Sequence, residues 1–107
     1  MSNKKEIRRV FREICLKRDK YCCVKCGLKS SQKTAESDLD VHHITDRKLM
    51  PHGGYVLENG ISLCAACHIK AEQFHVTGIA YDGYSPCELY ELINSSYEKA
   101  QKASFFL

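Results

Sequence analysis

Two adjacent histidines, His42 and His43, lie in a segment of residues 39–44 that otherwise alternates like a β-strand. Successive residues of a strand point to opposite faces, so the two imidazoles would face opposite ways. An imidazole that binds a metal ion has used the lone pair that a general base needs. One histidine of the pair can therefore bind a metal while the other acts as a base, if a bend or bulge lets both reach one cleft.

A third histidine, His68, directly follows the last cysteine of a C-x-x-C pair. If residues 65–75 form a helix, His68, Glu72 and His75 lie along one stripe at positions i, i+4 and i+7. The stripe would face the strand that carries the histidine pair, because the cysteines hold the two regions together. We therefore predict a metal site between this helix and the strand, shared by His68 and one histidine of the pair.

Two C-x-x-C pairs predict a structural zinc site, because four thiolates complete a tetrahedral coordination shell. The first pair lies on a turn closed by a glycine, and the second lies where an extended segment enters a helix. Cys22 could replace its neighbour if the turn slipped by one residue. A redox role would need a βαβ pattern beside one pair, and the sequence shows none. The predicted ligands are Cys23, Cys26, Cys64 and Cys67.

The length of 107 residues suits one domain, predicted over residues 1–107. The first residues are basic and have no apolar stretch, so we expect no signal peptide. No apolar run approaches the ~20 residues that a membrane span needs, so no membrane partner is expected. These features predict a cytoplasmic protein, a compartment in which clustered cysteines bind metal more often than they form disulfides.

The positive charge is concentrated in the first half of the chain, although the formal net charge is only +3. A basic surface could face a polyanion, and an ordinary solvated helix face would carry the same charges. The basic residues on the exposed face of the first predicted helix are Lys4, Lys5, Arg8, Arg9 and Arg12.

The remaining pattern predicts a small α+β domain with helices at both termini. Apolar residues at helical spacing predict an N-terminal helix over residues 3–18, capped by Asn3. Ser85 and Pro86 open a predicted C-terminal helix over residues 85–102. The elements predicted between them are a mobile loop over residues 28–38, the strand over 39–44, a short strand over 55–57, an extended piece over 61–63 and the helix over 65–75.

The motifs C-x-x-C, VHHI and N-G-I-S-L-C-x-x-C-H, taken in this order, resemble the signature of the HNH endonucleases, also called ββα-metal nucleases. The resemblance covers a core of residues 22–75, about half of the chain. It implies a ββα unit that holds the active site and a Cys₄ zinc that holds the unit together.

The resemblance also implies the role of each site residue. His43 would be the general base that activates water, and Asn59 would hold the metal loop in shape or orient the base. His42 and His68 would bind a catalytic divalent cation, for which Mg²⁺, Mn²⁺ and Ni²⁺ all stay open. Glu72 stands where some family members have a further histidine, so whether Glu72 or His75 joins the ligands also stays open.

The activity that the resemblance implies is metal-dependent hydrolysis of DNA phosphodiester bonds, by nicking or by double-strand cleavage. The basic N-terminal helix would hold backbone phosphates in a salt-sensitive manner. The alternative is a non-catalytic, zinc-stabilised nucleic-acid-binding module, against which the presence of both His43 and His68 argues. A protein–protein adaptor is a third possibility, supported by the apolar residues 105–107. The oligomeric state stays open.

Overall fold

An antiparallel pair of strands lies at the centre of the fold in the computed structural model, which describes residues 3–107. Strand β1, Leu39–His43, pairs with strand β2, Gly60–Cys64, so that His43 lies opposite Gly60. Every residue of β2 is buried, because helices cover the sheet and β2 runs through the core.

Helices surround this strand pair and account for nearly half of the described chain. Asn3 caps the first of them by accepting a hydrogen bond from the backbone N–H of Lys5 at 2.9 Å. Gly78, at φ 78°, ends the third, and Ser85 opens the fourth with a capping box that it forms with Glu88. Within residues 3–107 the helices are α1 (Lys4–Arg18), α2 (Ala35–Asp38), α3 (Ala65–Thr77), α4 (Pro86–Leu92) and α5 (Tyr97–Phe105), and 3₁₀ turns span Arg47–Leu49, Pro51–Gly54 and Leu57–Asn59.

Helix α1 is held against β2 by polar contacts that begin at its last turn. The Arg18 guanidinium donates to the carbonyl oxygens of Leu57, at 2.7 Å, and Gly60, at 2.6 Å. The Asp19 carboxylate accepts a hydrogen bond from the backbone N–H of Ser62 at 2.9 Å. These contacts fix the distance between α1 and β2.

The core lies between the strand pair, α3 and the two C-terminal helices. Leu39 and Ile61 from the strands and Leu89 from α4 are fully buried. Cys15 of α1 is also fully buried. The side chains of Phe105, Phe106 and Leu107 are exposed. The predicted α+β class is confirmed.

Two regions between the cysteine pairs differ from the prediction. The strand predicted over residues 55–57 is wrong, because the chain turns there and pairs with β1 only from Gly60 onward. Residues 28–38, predicted as a mobile loop, contain a β-bridge between Cys22 and Lys29 and the short helix α2. Arg12 stabilises α2 by donating to the carbonyl oxygens of Ala35 and Leu39, a long-range contact that sequence periodicity does not reveal.

The helix predicted over residues 85–102 is two helices, α4 and α5. Asn94 takes a left-handed conformation at φ 55°, and the N–H of Ser95 returns to the carbonyl of Tyr90 at 2.9 Å. Ser96 then caps α5 by accepting from the N–H of Lys99 at 3.1 Å. Asn and Ser compete with helical hydrogen bonding through their side chains, so they favour this break.

None of the helices within residues 3–107 combines the length and the apolar character needed to cross a membrane.

Candidate active site

Strand β1 places its two histidines on opposite sides, as the predicted alternation requires. His42 is 1% exposed and faces α3. His43 is partly buried and faces α1, where its ring stacks on Phe11 with the ring centres 4.6 Å apart. The two imidazoles therefore lie on the same strand but contact different helices, α3 for His42 and α1 for His43.

On the α3 side, His42 meets a carboxylate and a second imidazole. Its Nδ1 lies 3.3 Å from the nearer carboxylate oxygen of Glu72, and its ring stacks on that of His75 with centres 5.0 Å apart. One ligand atom from each of these three residues lies within 4.8 Å of the other two. Two imidazoles and a carboxylate are a donor set that suits a divalent transition-metal ion.

The nitrogens of His42 are compatible with a role as a metal ligand. Both are buried, and within residues 3–107 neither makes a hydrogen bond. The 3.3 Å approach of Glu72 is within ion-pair distance but lacks hydrogen-bond geometry. A buried polar atom without a partner costs about 1–3 kcal/mol, so an unpaired imidazole here needs an explanation, and a metal ligand is one.

His75 is oriented by the backbone of the histidine pair. Its Nε2 lies 2.8 Å from the carbonyl oxygen of His43. Since a carbonyl can only accept, Nε2 carries the proton and the neutral ring keeps its lone pair on Nδ1. This hydrogen bond ties α3 to β1 and leaves one nitrogen of His75 available for a ligand role.

His68, the predicted metal ligand on α3, lies beside this group. Its Nδ1 is 3.3 Å from a carboxylate oxygen of Asp40, and its Nε2 is 3.2 Å from the Glu72 oxygen that approaches His42. The structure thus brings His68 next to His42, with Glu72 between them. The ligand role of His68 stays a prediction.

Burial keeps both histidines of the pair neutral near pH 7. It lowers the pKa of His42 to about 3, an effect to which His68 and His75 add. It also lowers the pKa of His43 to about 4, and the nearby Arg47 guanidinium lowers it further. Metal binding and base catalysis both require the neutral imidazole, because the neutral ring has a free lone pair.

On the α1 side, aromatic rings hold the plane of the His43 imidazole. Phe11 stacks on it, and Tyr55 meets it edge-on with centres 4.8 Å apart. Its Nε2 is buried and has no hydrogen-bond partner within residues 3–107. The ring is therefore oriented by packing, and no neighbouring group uses its lone pair.

The two sides of β1 meet at one open cleft of about 420 Å³. His43 reaches it from one side, and His68 and Glu72 reach it from the other. Arginines from α1 and from the turn after β1 surround these groups. The cleft is lined by Arg8, Phe11, Arg12, Val41, His43, Arg47, Tyr55, His68 and Glu72.

Asn59 is fully buried and uses its whole side chain in hydrogen bonds. Its Oδ1 accepts from the N–H of Thr45 at 2.9 Å and from the Tyr90 hydroxyl at 2.7 Å. Its Nδ2 donates to the carbonyl oxygens of Thr45, at 3.1 Å, and Gly54, at 3.2 Å. The amide therefore shapes the chain that follows His43, whereas the His43 ring itself is held by Phe11 and Tyr55.

The four predicted zinc ligands form one cluster. The sulfur atoms of Cys23, Cys26, Cys64 and Cys67 lie within 4.8 Å of one another. The Cys26–Cys64 sulfur separation is 3.7 Å, close to the ~3.8 Å edge of a tetrahedron with Zn–S bonds of about 2.3 Å. The cluster is compatible with a structural zinc ion.

The surroundings of the cluster lower the pKa of Cys23, raise the pKa values of Cys26 and Cys67, and exclude the alternative cysteine. The Cys22 sulfur points away and contacts the carbonyl oxygen of Lys20 at 3.3 Å. Burial raises the pKa of Cys23, but hydrogen bonds from the backbone at Cys26 and Cys64 outweigh it and leave the pKa at about 7. The Tyr84 hydroxyl donates to the Cys67 sulfur at 3.3 Å.

The predicted nucleic-acid contacts on α1 have different environments. Arg8 and Arg12 line the cleft beside His43, although Arg12 also donates to backbone carbonyls. Arg9 is paired with Glu6 and Glu13 along its own helix. Lys4 and Lys5 are exposed.

Sequence reasoning missed Arg47 and Tyr55 at the cleft. The signal for Arg47 was its position four residues after His43, in the turn that leaves the strand. Nothing in the sequence pattern singles out Tyr55, because its contact with the His43 ring depends on how the 3₁₀ turns fold back.

Comparison of the sequence with known protein families gives one match. The family described as HNH endonuclease matches residues 23–74, a segment that includes both cysteine pairs and the three histidines of the predicted signature. The match covers just under half of the chain and identifies an HNH domain within it. Neither a search of curated proteins nor a search of solved structures found a match.

Proposed function

We propose that this protein is a metal-dependent endonuclease that hydrolyses phosphodiester bonds of DNA. The observation that carries the proposal is the single cleft that His43 enters from one side of β1 and His68 and Glu72 enter from the other. Arginines around the cleft can neutralise a backbone phosphate between the two groups. The family supports the same class of reaction.

His43 acts as the general base in this proposal. Its neutral ring is held in one plane by Phe11 and Tyr55, so it can take a proton from a water molecule that attacks the phosphorus. Arg8 and Arg47 hold the phosphate on the base side of the cleft. Asn59 is a positioning residue, because it fixes the backbone after the base without touching the His43 ring.

His42 and the facing side chains of α3 would hold the catalytic cation. The family resemblance assigns His68 as the second ligand, and the geometry favours Glu72 and His75. A divalent ion bound there, such as Mg²⁺, Mn²⁺ or Ni²⁺, would supply Lewis-acid stabilisation of the phosphate and of the leaving oxygen. The buried, unpaired nitrogens of His42 support its place in this set.

Plasmid nicking by zinc-loaded protein tests the proposal, with each divalent ion added separately. His43→Ala should lower the nicking rate by about 10²-fold or more, the usual loss when a general base is removed. Zinc content and melting temperature should stay near wild type, because the His43 ring contacts Phe11 and Tyr55 and does not contact the cysteine cluster.

Lys99→Ala, an exposed position on α5, is the matched control and should nick at the wild-type rate. Equal nicking by wild type and His43→Ala would contradict the assignment of the base. Binding of DNA by both proteins, with no cleavage under any ion, would favour the non-catalytic nucleic-acid-binding module.

A further inference from the structure

A second cleft of about 550 Å³ opens beside the catalytic cleft. The two clefts share Arg8, Arg47 and Tyr55, so they are adjacent on the face between α1 and the turn after β1. We call this second cleft the basic groove. It is lined by Lys4, Ile7, Arg8, Arg47, Lys48, His52, Gly53, Tyr55 and Leu107.

The cations of the basic groove make no ion pair in the part of the chain that the structure describes. Within residues 3–107, no carboxylate forms an ion pair with Lys4, Arg8, Arg47 or Lys48. Arg9, by contrast, is neutralised by two glutamates on α1. Four unpaired cations along one groove repel each other, so the groove attracts a polyanion.

Two of these cations lie on a well-defined turn. The Asp46 carboxylate caps the turn Arg47–Leu49 by accepting from the N–H of Lys48 at 3.1 Å. The Arg47 guanidinium donates to the Tyr55 hydroxyl at 3.0 Å. Gly53, at φ 85°, lets Tyr55 fold over the turn, since a Cβ there would lie 2.7 Å from its ring. The turn therefore fixes the backbone that carries both cations, and the Tyr55 hydroxyl fixes the position of the Arg47 guanidinium.

We infer that the basic groove binds the sugar–phosphate backbone of DNA on one side of the scissile phosphate. The inference rests on the proposed nuclease function for its substrate, and it adds a direction to the contact. DNA in the catalytic cleft would continue into the groove, because Arg8 and Arg47 border both. Lysine and arginine contacts to phosphates carry no base information, so binding in the groove is independent of sequence.

The test uses Lys4 and Lys48, which line the groove but not the catalytic cleft. Fluorescence anisotropy measures binding of zinc-loaded protein to a duplex across a NaCl series, without added divalent ions so that no cleavage occurs. The slope of log Kobs against log[NaCl] is negative, and each lost phosphate contact should make it less negative by about 0.9. The slope of the Lys4→Ala/Lys48→Ala protein should therefore be less negative than that of the wild type by about 2.

The matched control is Lys99→Ala/Lys102→Ala, which removes the same charge from exposed positions on α5. Its slope should equal that of the wild type. An equal change in both double variants would show a general charge effect and overturn the groove. An unchanged slope in Lys4→Ala/Lys48→Ala would overturn it as well.

Duplexes of decreasing length test how far the contact extends along the DNA. The wild type should lose affinity once the duplex is too short to occupy both clefts, whereas Lys4→Ala/Lys48→Ala should lose affinity only at a shorter length. The same length threshold in both proteins would overturn the extended contact. These readouts measure binding alone, so a failure of the nicking experiment would leave them interpretable.

Discussion

His42 and His43 are neighbours in the sequence, yet their rings have different packing and different candidate roles. The ring of His42 is surrounded by Glu72, His68 and His75, all of which could bind or support a cation. The ring of His43 is surrounded by aromatic groups that restrict its orientation. Successive side chains of a strand point to opposite faces, so two adjacent residues are enough to separate the two roles.

The ligand set on α3 can be resolved by comparing single substitutions. We expect His75→Ala to weaken Mn²⁺ binding to zinc-loaded protein by more than about 100-fold, because it removes a donor that lies within 4.8 Å of the other two. His68→Ala should cost about tenfold, the effect of losing a group that supports a ligand. Calorimetry or Mn²⁺ paramagnetic resonance measures both.

The reverse order would identify His68 as the ligand and His75 as its support. His42→Ala serves as the reference, since both interpretations require its imidazole and predict the largest loss for that variant.

We expect Asn59 to contribute mainly to the free energy of unfolding. Asn59→Ala leaves Thr45 and Gly54 with unpaired buried backbone groups, so the free energy of unfolding should fall by about 2–3 kcal/mol. Tyr90→Phe removes only the hydroxyl that donates to Asn59 and contacts Thr45, and it should cost about 1 kcal/mol. Urea denaturation of zinc-loaded protein measures both. Equal costs would show that the backbone contacts of Asn59 contribute little.

At the scale of elements, the close approach of α1 to β2 sets the position of the base. A Cβ on Gly60 would lie 2.5 Å from the Cys15 sulfur and 2.7 Å from the ring of Phe11. The backbone of Gly60 is ordinary extended chain, at φ −118° and ψ 141°. Glycine is therefore required here by the neighbouring helix, which carries the ring that stacks on His43.

A double-mutant cycle tests this approach. Gly60→Ala should destabilise the protein by about 1–3 kcal/mol through overpacking, and Phe11→Leu should relieve part of that cost. The coupling between the two changes should exceed about 0.5 kcal/mol, as expected for residues in contact. Gly78→Ala is the control, because its Cβ would meet nothing within 4 Å, and its coupling to Phe11→Leu should be near zero. Absent coupling at Gly60 would show that α1 moves freely.

At the scale of the whole molecule, the cysteine cluster joins the turn after α1 to the junction of β2 and α3. This junction places α3 against β1, where Glu72 and His75 meet His42. A bound zinc ion would therefore stabilise the candidate active site as well as the fold.

Cys23→Ser and Cys22→Ser form a matched pair for this role. Cys23→Ser should lose zinc and cooperative unfolding, because its sulfur belongs to the cluster. Cys22→Ser should keep one zinc per chain and a melting temperature near wild type, since its sulfur contacts only a carbonyl oxygen outside the cluster. Zinc analysis and thermal denaturation followed by circular dichroism measure both. Loss of zinc from Cys22→Ser would contradict the ligand set.

The sequence by itself determined the cysteine cluster, the opposite faces of the histidine pair and the helix that follows Cys64. Each follows from local chemistry: thiolate spacing, strand alternation and helical periodicity. Asn94 and its serine neighbours are also a local signal, for the break between α4 and α5. The apolar stripe across this region nevertheless predicted one helix.

Only the tertiary structure decided which α3 side chain stands nearest His42 and which cations reach the cleft. His68, Glu72 and His75 share one stripe, so spacing alone cannot rank them, and the ranking depends on how β1 crosses α3. The sequence alone does not show whether Arg9 or Arg47 reaches the cleft. Helical neighbours neutralise Arg9, whereas a turn folded against α1 brings Arg47 to His43. Distances between segments remote in sequence depend on packing, and local pattern does not encode them.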